Sequence, residues 1–238
     1  MAMFREKEVN WLARFNESKI LLQFLMDALI TFYVEIESAD NMYYMKFRYR
    51  YDCGYIFRKF WKLKNFKAKF IDLVGTEMME RFINCLLNDT NHCLEEGISK
   101  LSKIKQFEER TSGFPSEEEK KQHSDNEGTC KANFQLANEC IFMVKQITEW
   151  ASQSFDNEIF ASRMASSLNF VLNKIVGPQC IELKVKKPED YFFKPIVLLS
   201  DLITIYTNLG NIELFVNSVL GDNAFKMETA RKALNILK

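Results

Sequence analysis

At 238 residues the chain is long enough for one large domain or two small ones. Hydrophobic residues at 47% and charged residues at 27% make an ordinary globular mix, which excludes disorder over most of the length. The 32 basic and 32 acidic residues cancel, so there is no global pull toward nucleic acid or an anionic membrane.

Helix-interrupting Gly (8) and Pro (4) are scarce, and Phe (21) is abundant, a composition suited to long helices with large apolar faces. The N-terminus, Met-Ala-Met-Phe-Arg-Glu-Lys-Glu, mixes charges of both signs and is not a secretory signal. Segment Glu17–Ile36 carries Ile20, Leu21, Phe24, Leu25, Ala28, Leu29, Phe32 and Tyr33 at helical spacing. That predicts a helix with this face toward a core, capped by Asn16 or Ser18. The most apolar run, Ile20 to Val34, is broken by Gln23 and Asp27 and is shorter than the roughly 20 residues a membrane span needs.

Asp40 is expected to cap a second helix through about Leu63, its apolar face built from Tyr43, Tyr44, Phe47, Tyr51, Tyr55, Phe57, Phe60 and Trp61. Gly54, inside that helix, predicts close approach of a neighbour. A short helix at about Asn65–Val74 ends at Gly75. Thr76 then caps a long helix to about Arg110, with the stripe Met79, Phe82, Ile83, Leu86, Cys93, Leu94, Ile98, Leu101 and Ile104. At 1.5 Å per residue it would be about 50 Å long, which suits a layered helical stack better than a small globule.

Thr111–Thr129 breaks the pattern. Gly113, Pro115, Ser116, Glu117–Glu119, Asp125 and Gly128 predict an exposed, mobile loop within one domain, 1–238. Helix Cys130–Gln153 follows, with Phe134, Ala137, Ile141, Val144, Ile147 and Ala151 inward. Asp156 is read as the cap of the next helix, with Phe155 and Phe160 stapled across it, and Gly177-Pro178 as its stop. Gln179–Lys194 is read as irregular, with one helical turn opened by Pro188. Pro195 opens a helix to Leu209, closed by Gly210. Short helices at about Ile212–Leu220 and Ala224–Leu237 complete the chain, separated by Gly221. The architecture predicted is all-α, an irregular helical solenoid, with a single compact bundle as the alternative.

Chemistry is poorly supplied. His92 and Cys93 are neighbours, but adjacent helical residues point about 100° apart and cannot work as a pair. His123 falls in the polar stretch, and two histidines are too few for a His-based metal or acid–base site. Glu117–Glu119 read as solvated rather than as a binding tag. Cys53, Cys85, Cys93, Cys130, Cys140 and Cys180 lie outside metal spacings and read as reduced thiols of a cytosolic or nuclear protein. No phosphate-binding, dinucleotide, zinc-protease or nucleophile-elbow motif occurs, so no catalytic residue, cofactor or metal is expected.

The candidate partner-binding residues are Lys46, Arg48, Arg58, Lys59, Lys62, Lys64, Lys67 and Lys69. With Arg50 they face a single acid, Asp52, and interleave with Phe47, Tyr49, Tyr51, Tyr55, Phe57, Phe60, Trp61 and Phe66. Nucleic-acid binding, docking of an acidic protein segment and a plain amphipathic helix are all open; the last is favoured and nucleic acid is not expected.

Three stretches carry a family resemblance. The first runs from Phe32-Tyr33-Val34-Glu35-Ile36-Glu37 through Tyr44-Met45-Lys46-Phe47-Arg48-Tyr49-Arg50-Tyr51 to Tyr55-Ile56-Phe57-Arg58-Lys59-Phe60-Trp61. The second is Arg81-Phe82-Ile83-Asn84-Cys85-Leu86-Leu87-Asn88-Asp89-Thr90 with Leu94 to Leu101. The third is Val176 to Val185, then Lys187-Pro188-Glu189-Asp190-Tyr191 and Leu198-Leu199-Ser200-Asp201-Leu202. In order and spacing the sequence from about Leu22 onward resembles the ubiquitin elongating factor core of the U-box ubiquitin chain-elongation ligases. The resemblance implies an armadillo-like superhelix, work in ubiquitin chain assembly and proteasomal degradation, and location in cytoplasm and nucleus. It also implies an AAA unfoldase and ubiquitin-like shuttle proteins as partners, and a ubiquitin-conjugating enzyme recruited through a U-box. The sequence matches the C-terminal part of such a core and contains no U-box, so the chain alone is expected to be inactive. An interaction-only helical adaptor is the alternative, and a thioester-forming transferase using one of the cysteines a third.

Overall fold

The computed structural model describes residues 16–38, 43–110 and 114–238. Met1–Glu8, the expected cap Asp40, and Thr111 and Gly113 of the expected loop lie outside them, as do the side chains of Tyr43 and Tyr44. Helices dominate: α1 (Lys19–Glu35), α2 (Tyr43–Phe60), α3 (Lys64–Ile71), α4 (Glu77–Glu108), α5 (Glu117–Trp150), α6 (Glu158–Val176), α7 (Pro195–Leu209), α8 (Glu213–Gly221) and α9 (Met227–Ile236). Short 3-10 turns occupy Ile36–Ser38, Ser152–Phe155, Pro178–Leu183 and Pro188–Tyr191, and no strand occurs among the described residues. The chain divides into two compact units, Met1–Leu86 and Leu87–Lys238. Within each, helices pack on near neighbours in sequence, as in an all-α helical solenoid.

The first unit is organised by aromatic rings. Phe57 on α2 stacks on Trp61, with ring centroids 4.9 Å apart, and meets Phe66 and Phe70 of α3 edge-on at 5.4 Å. Tyr33 of α1 meets Phe82 edge-on at 5.2 Å. Ser18 caps α1 by accepting from the Leu21 N–H at 3.3 Å. Gly75 adopts φ +81°, a left-handed turn that glycine takes without strain, and Thr76 Oγ1 caps α4 by accepting from the Met79 N–H at 3.3 Å.

The expected inner face of α1 is corrected. Leu29 and Tyr33 are buried, together with Leu22, Met26, Ile30 and Val34, whereas Ile20 (83% exposed), Phe24 (73%) and Phe32 (47%) face outward. This helix is apolar on more than one side, so its own periodicity does not say which side the neighbours take.

In the second unit the α4 stripe is buried as expected from Cys93 to Ile104, as are Phe134, Ala137, Ile141, Val144, Ile147 and Ala151. Met79 to Leu86, the start of that stripe, are buried in the first unit. Gly97 sits where α5 crosses α4: a Cβ there would stand 3.2 Å from the Phe134 ring, and the Cys130 thiol donates to the Gly97 carbonyl at 3.6 Å.

The expected loop Thr111–Thr129 is also corrected: from Glu117 onward it is the start of α5. Ser116 and Glu119 form a reciprocal capping box, with Ser116 Oγ accepting from the Glu119 N–H and Glu119 Oε2 from the Ser116 N–H, at 3.2 and 2.9 Å. Glu117–Glu119 occupy the first turn, where negative charge opposes the helix dipole. The inward positions of these first turns are His123, Asn126 and Cys130, which a search for apolar spacing passes over.

Further along, α6 is capped by Asn157 rather than Asp156, its Oδ1 accepting from the Ile159 and Phe160 N–H groups at 2.9 and 3.2 Å. Phe155 and Phe160 are both buried. A Cβ on Gly177 would collide with the Asn173 carbonyl oxygen, which is why α6 stops at a glycine. Pro188 and Pro195 open their turns as expected. Leu172 and Val176 of α6, Leu199 of α7 and Ala233 of α9 form a common core. Lys145 of α5 pairs with Asp201 of α7.

Two measurements check this packing. Gly128 lies inside α5 with nothing within 4 Å of an added Cβ, so Gly128→Ala is expected to stabilise by roughly 0.5–1 kcal/mol in urea unfolding. Gly97→Ala has the same helical benefit but must displace Phe134, so its gain is smaller or reversed. Phe114, fully exposed and just ahead of the Ser116 cap, is expected to be cut by chymotrypsin before Phe107 of α4 or Phe134 of α5.

Candidate functional site

The sequence-predicted basic residues divide into two groups on α2 and α3. Positions 50, 53, 57 and 61, at helical spacing, bring Arg50, Cys53, Phe57 and Trp61 into the core. The opposite row, Arg48, Asp52, Tyr55, Lys59 and Lys62, is exposed. Lys64, opening α3, is exposed beside it, and Tyr55 keeps 45% of its surface, with the Lys59 ammonium 5.1 Å from its ring centre.

The other members are engaged elsewhere. Lys46 Nζ donates to the Glu37 carbonyl at 2.8 Å, and Lys69 pairs with Asp72 at 3.1 Å. Lys67 is half-buried with its ammonium 6.0 Å from the Trp61 ring, and Arg58 is half-buried. Arg50, read from sequence as part of the basic stretch, is 5% exposed; it pairs with Glu37 and lies 5.1 Å from the Tyr33 ring. Of the interleaved aromatics, Phe57, Trp61 and Phe66 are core residues.

The second unit has two features the sequence did not disclose. His123 stacks on Phe107, centroids 4.0 Å apart and 11° from parallel, beside a cleft of about 240 Å³ that Lys103, Arg110 and Asn126 also line. Arg110 bonds Glu119 at 2.7 Å, and this contact with the Ser116 N–H holds the Glu119 carboxyl well below the usual carboxylate range. His123 Nε2 stands 3.8 Å from Glu127, which accepts from the Tyr191 hydroxyl at 2.7 Å. Phe192, at φ +56°, is the one non-glycine residue with left-handed backbone among the described residues. Its carbonyl accepts from Asn138 at 3.0 Å, and Phe193 packs on Phe134. The turn at 188–193 is therefore seated on α5, and Glu108 accepts from the Lys186 N–H at 2.9 Å.

His92 is exposed and Cys93 buried, on different sides of α4. Burial pushes the Cys53 thiol up to about 11, with Asp52 adding to it, and the Cys130 thiol up to about 12, with Glu127 adding to it. Among the described residues no group of three or more His, Cys, Asp or Glu is placed to hold a metal ion, and no helix is long and apolar enough to cross a membrane.

Residues 2–238 match the ubiquitin elongating factor core. The chain belongs to this family. It is 31% identical to the ubiquitin conjugation factor E4 of Schizosaccharomyces pombe, over 92% of this chain and 23% of that protein. It is 30% identical to the E4 ubiquitin-protein ligase UFD2 of Saccharomyces cerevisiae, over 94% and 25%. Against the ubiquitin conjugation factor E4 A of Rattus norvegicus the identity is 33%, over 83% and 20%. The chain thus spans about a quarter or less of the length of the relatives it matches.

The thiol environments predict an order of alkylation. Cys180, half-buried, reacts with iodoacetamide first at pH 8, while Cys53 and Cys130 react only on unfolding. Peptide mass spectrometry over a time course checks it; early labelling of Cys130 would contradict this packing.

Proposed function

We propose that this chain is the C-terminal part of a ubiquitin elongating factor core and works as a non-catalytic helical scaffold in ubiquitin chain elongation. The observation that carries the reading is the family match over residues 2–238. The deeply protonated Cys53 and Cys130 thiols favour a scaffold over a thioester-forming transferase. In this reading the helices continue an armadillo-like superhelix and hold substrate and partners near a U-box, raising their effective concentration. The partners are a ubiquitin-conjugating enzyme, gripped by that U-box, an AAA unfoldase and ubiquitin-like shuttle proteins. The products are polyubiquitylated proteins bound for the proteasome, and the work takes place in cytoplasm and nucleus.

The test is single-turnover discharge of ubiquitin from a charged conjugating enzyme. The chain alone is expected to leave the rate unchanged, because a U-box ligase accelerates discharge by holding the thioester in a reactive geometry. A U-box fused after Lys238 is expected to accelerate discharge and to extend chains on a ubiquitylated substrate faster than the U-box alone. A fusion no better than the free U-box would favour an interaction-only adaptor. A reducible ubiquitin adduct on any of the six cysteines would replace the scaffold by a transferase.

A further inference from the structure

The exposed row on α2 is cationic with a single acid in it. Several cations elsewhere sit beside acids: Arg81 with Glu35 at 3.2 Å, Lys105 with Glu109 at 2.8 Å, Lys120 with Glu117 at 2.7 Å. That alternation is the pattern of an ordinary solvated helix face. No ion pair among the described residues reaches Arg48, Lys59, Lys62 or Lys64, and Asp52 is the one acid between Lys46 and Lys69. Lys59 and Lys62, three residues apart, are like charges that repel one another. Tyr55 stands in the middle of the row, its ring half in water and its other face against the Lys59 ammonium.

We propose that Arg48, Tyr55 and Lys59 of α2, Lys62 of the turn that follows it and Lys64 of α3 form a docking surface for an acidic protein segment that carries an apolar side chain among its carboxylates. The proposal rests on the scaffold reading, which requires a surface that holds a partner. Carboxylates would find the opposite charge that the chain itself leaves out, and the exposed face of Tyr55 would take the apolar side chain, an aromatic anchor ringed by charge. From Arg48 to Lys59 the row runs about 16 Å along the helix, the reach of roughly five extended residues.

A nucleic acid fits less well for two reasons. Asp52 lies within the row and repels a phosphate backbone, whereas a peptide can place a Lys, an amide or nothing opposite it. Binding a single strand also needs several rings on which bases stack, and with Phe57, Trp61 and Phe66 in the core the row itself offers Tyr55 alone.

The probe is a fluorescein-labelled peptide of Glu and Asp with one Phe and one Leu, titrated with the full chain and followed by anisotropy at low and physiological salt. The combined variant Arg48→Glu, Lys59→Glu, Lys62→Glu, Lys64→Glu is expected to lose roughly tenfold or more in affinity. The matched variant Lys184→Glu, Lys186→Glu, Lys187→Glu, Lys194→Glu reverses four exposed lysines of the second unit and is expected to change it less than about twofold. Tyr55→Ala, at an exposed position whose loss leaves the core intact, is expected to weaken binding several-fold while the thermal melt stays unchanged. Equal losses in the two charge variants, no peptide binding by the parent chain, or tighter binding of an oligo-dT than of the peptide would each overturn the proposal. The readout is peptide affinity alone. Intact peptide binding with an inert U-box fusion would sink the scaffold reading, and an active fusion with no peptide binding would sink this surface.

Discussion

Phe57 touches four other rings, those of Trp61, Phe66, Phe70 and Phe82, and the first unit is arranged around that contact. Helix α3 has eight residues and no side-chain cap at Leu63, too little to persist in water unaided. It holds its place because Phe66 and Phe70, both fully buried, complete the ring cluster. Edge-on and stacked ring pairs add a directional preference to the burial of large apolar areas, so the cluster fixes rotation as well as proximity. With Phe57 and Trp61 turned inward, the geometry of α2 leaves no choice for the row on its other side. Arg48, Asp52, Tyr55, Lys59 and Lys62 are driven outward by the packing of residues they never touch. The basic face is thus a by-product of the aromatic core in its position, though not in its composition.

The second unit solves the same problem with amides. Helix α8, of nine residues, and the turn after it are tied to α6 through Asn169, whose Nδ2 donates to Asp222 at 3.0 Å and to the Val219 carbonyl at 3.3 Å. The Tyr206 hydroxyl of α7 completes the set by donating to Asn169 Oδ1 at 2.7 Å. Asn173 reaches the Ala224 carbonyl, and Asn208 of α7 donates to Thr148 of α5 at 3.1 Å. A buried amide with its hydrogen bonds satisfied specifies one arrangement where an apolar side chain would tolerate several.

That division explains what could be read from sequence. The α4 stripe, the α5 face from Phe134 to Ala151, the stop at Gly177 and the start at Pro195 were legible because they follow from local rules. These are apolar spacing, a collision at a glycine and the fixed φ of proline. The inner face of α1 was not legible, since a helix apolar on more than one side leaves the choice to its neighbours. The first turns of α5 were hidden because their inward residues are His123, Asn126 and Cys130 and their surface is acidic. The Ser116-x-x-Glu119 spacing was the one available signal of a helix start there. At the candidate site, composition marked the basic stretch, but only three dimensions separate Arg48, Lys59, Lys62 and Lys64 from Arg50, Lys46 and Lys69. Phe192 gave no sign at all, because left-handed backbone at a phenylalanine is imposed by the turn that Pro188 opens and Asn138 closes.

The placement of the thiols bears on what kind of protein such a frame can be. A cysteine that accepts ubiquitin must be a thiolate within reach of solvent and of the donor thioester. Cys53 is buried on the inner side of α2, and Cys130 spends its hydrogen on the Gly97 carbonyl at the α4–α5 crossing. Freeing either would open the packing around it. Cys180, half-buried, is not held in that way. Rigid helices are well suited to the other task in ubiquitin transfer, holding two proteins at a fixed separation. For that task the information lies in which side chains the core forces outward, and in the first unit those are the cations and the tyrosine of α2.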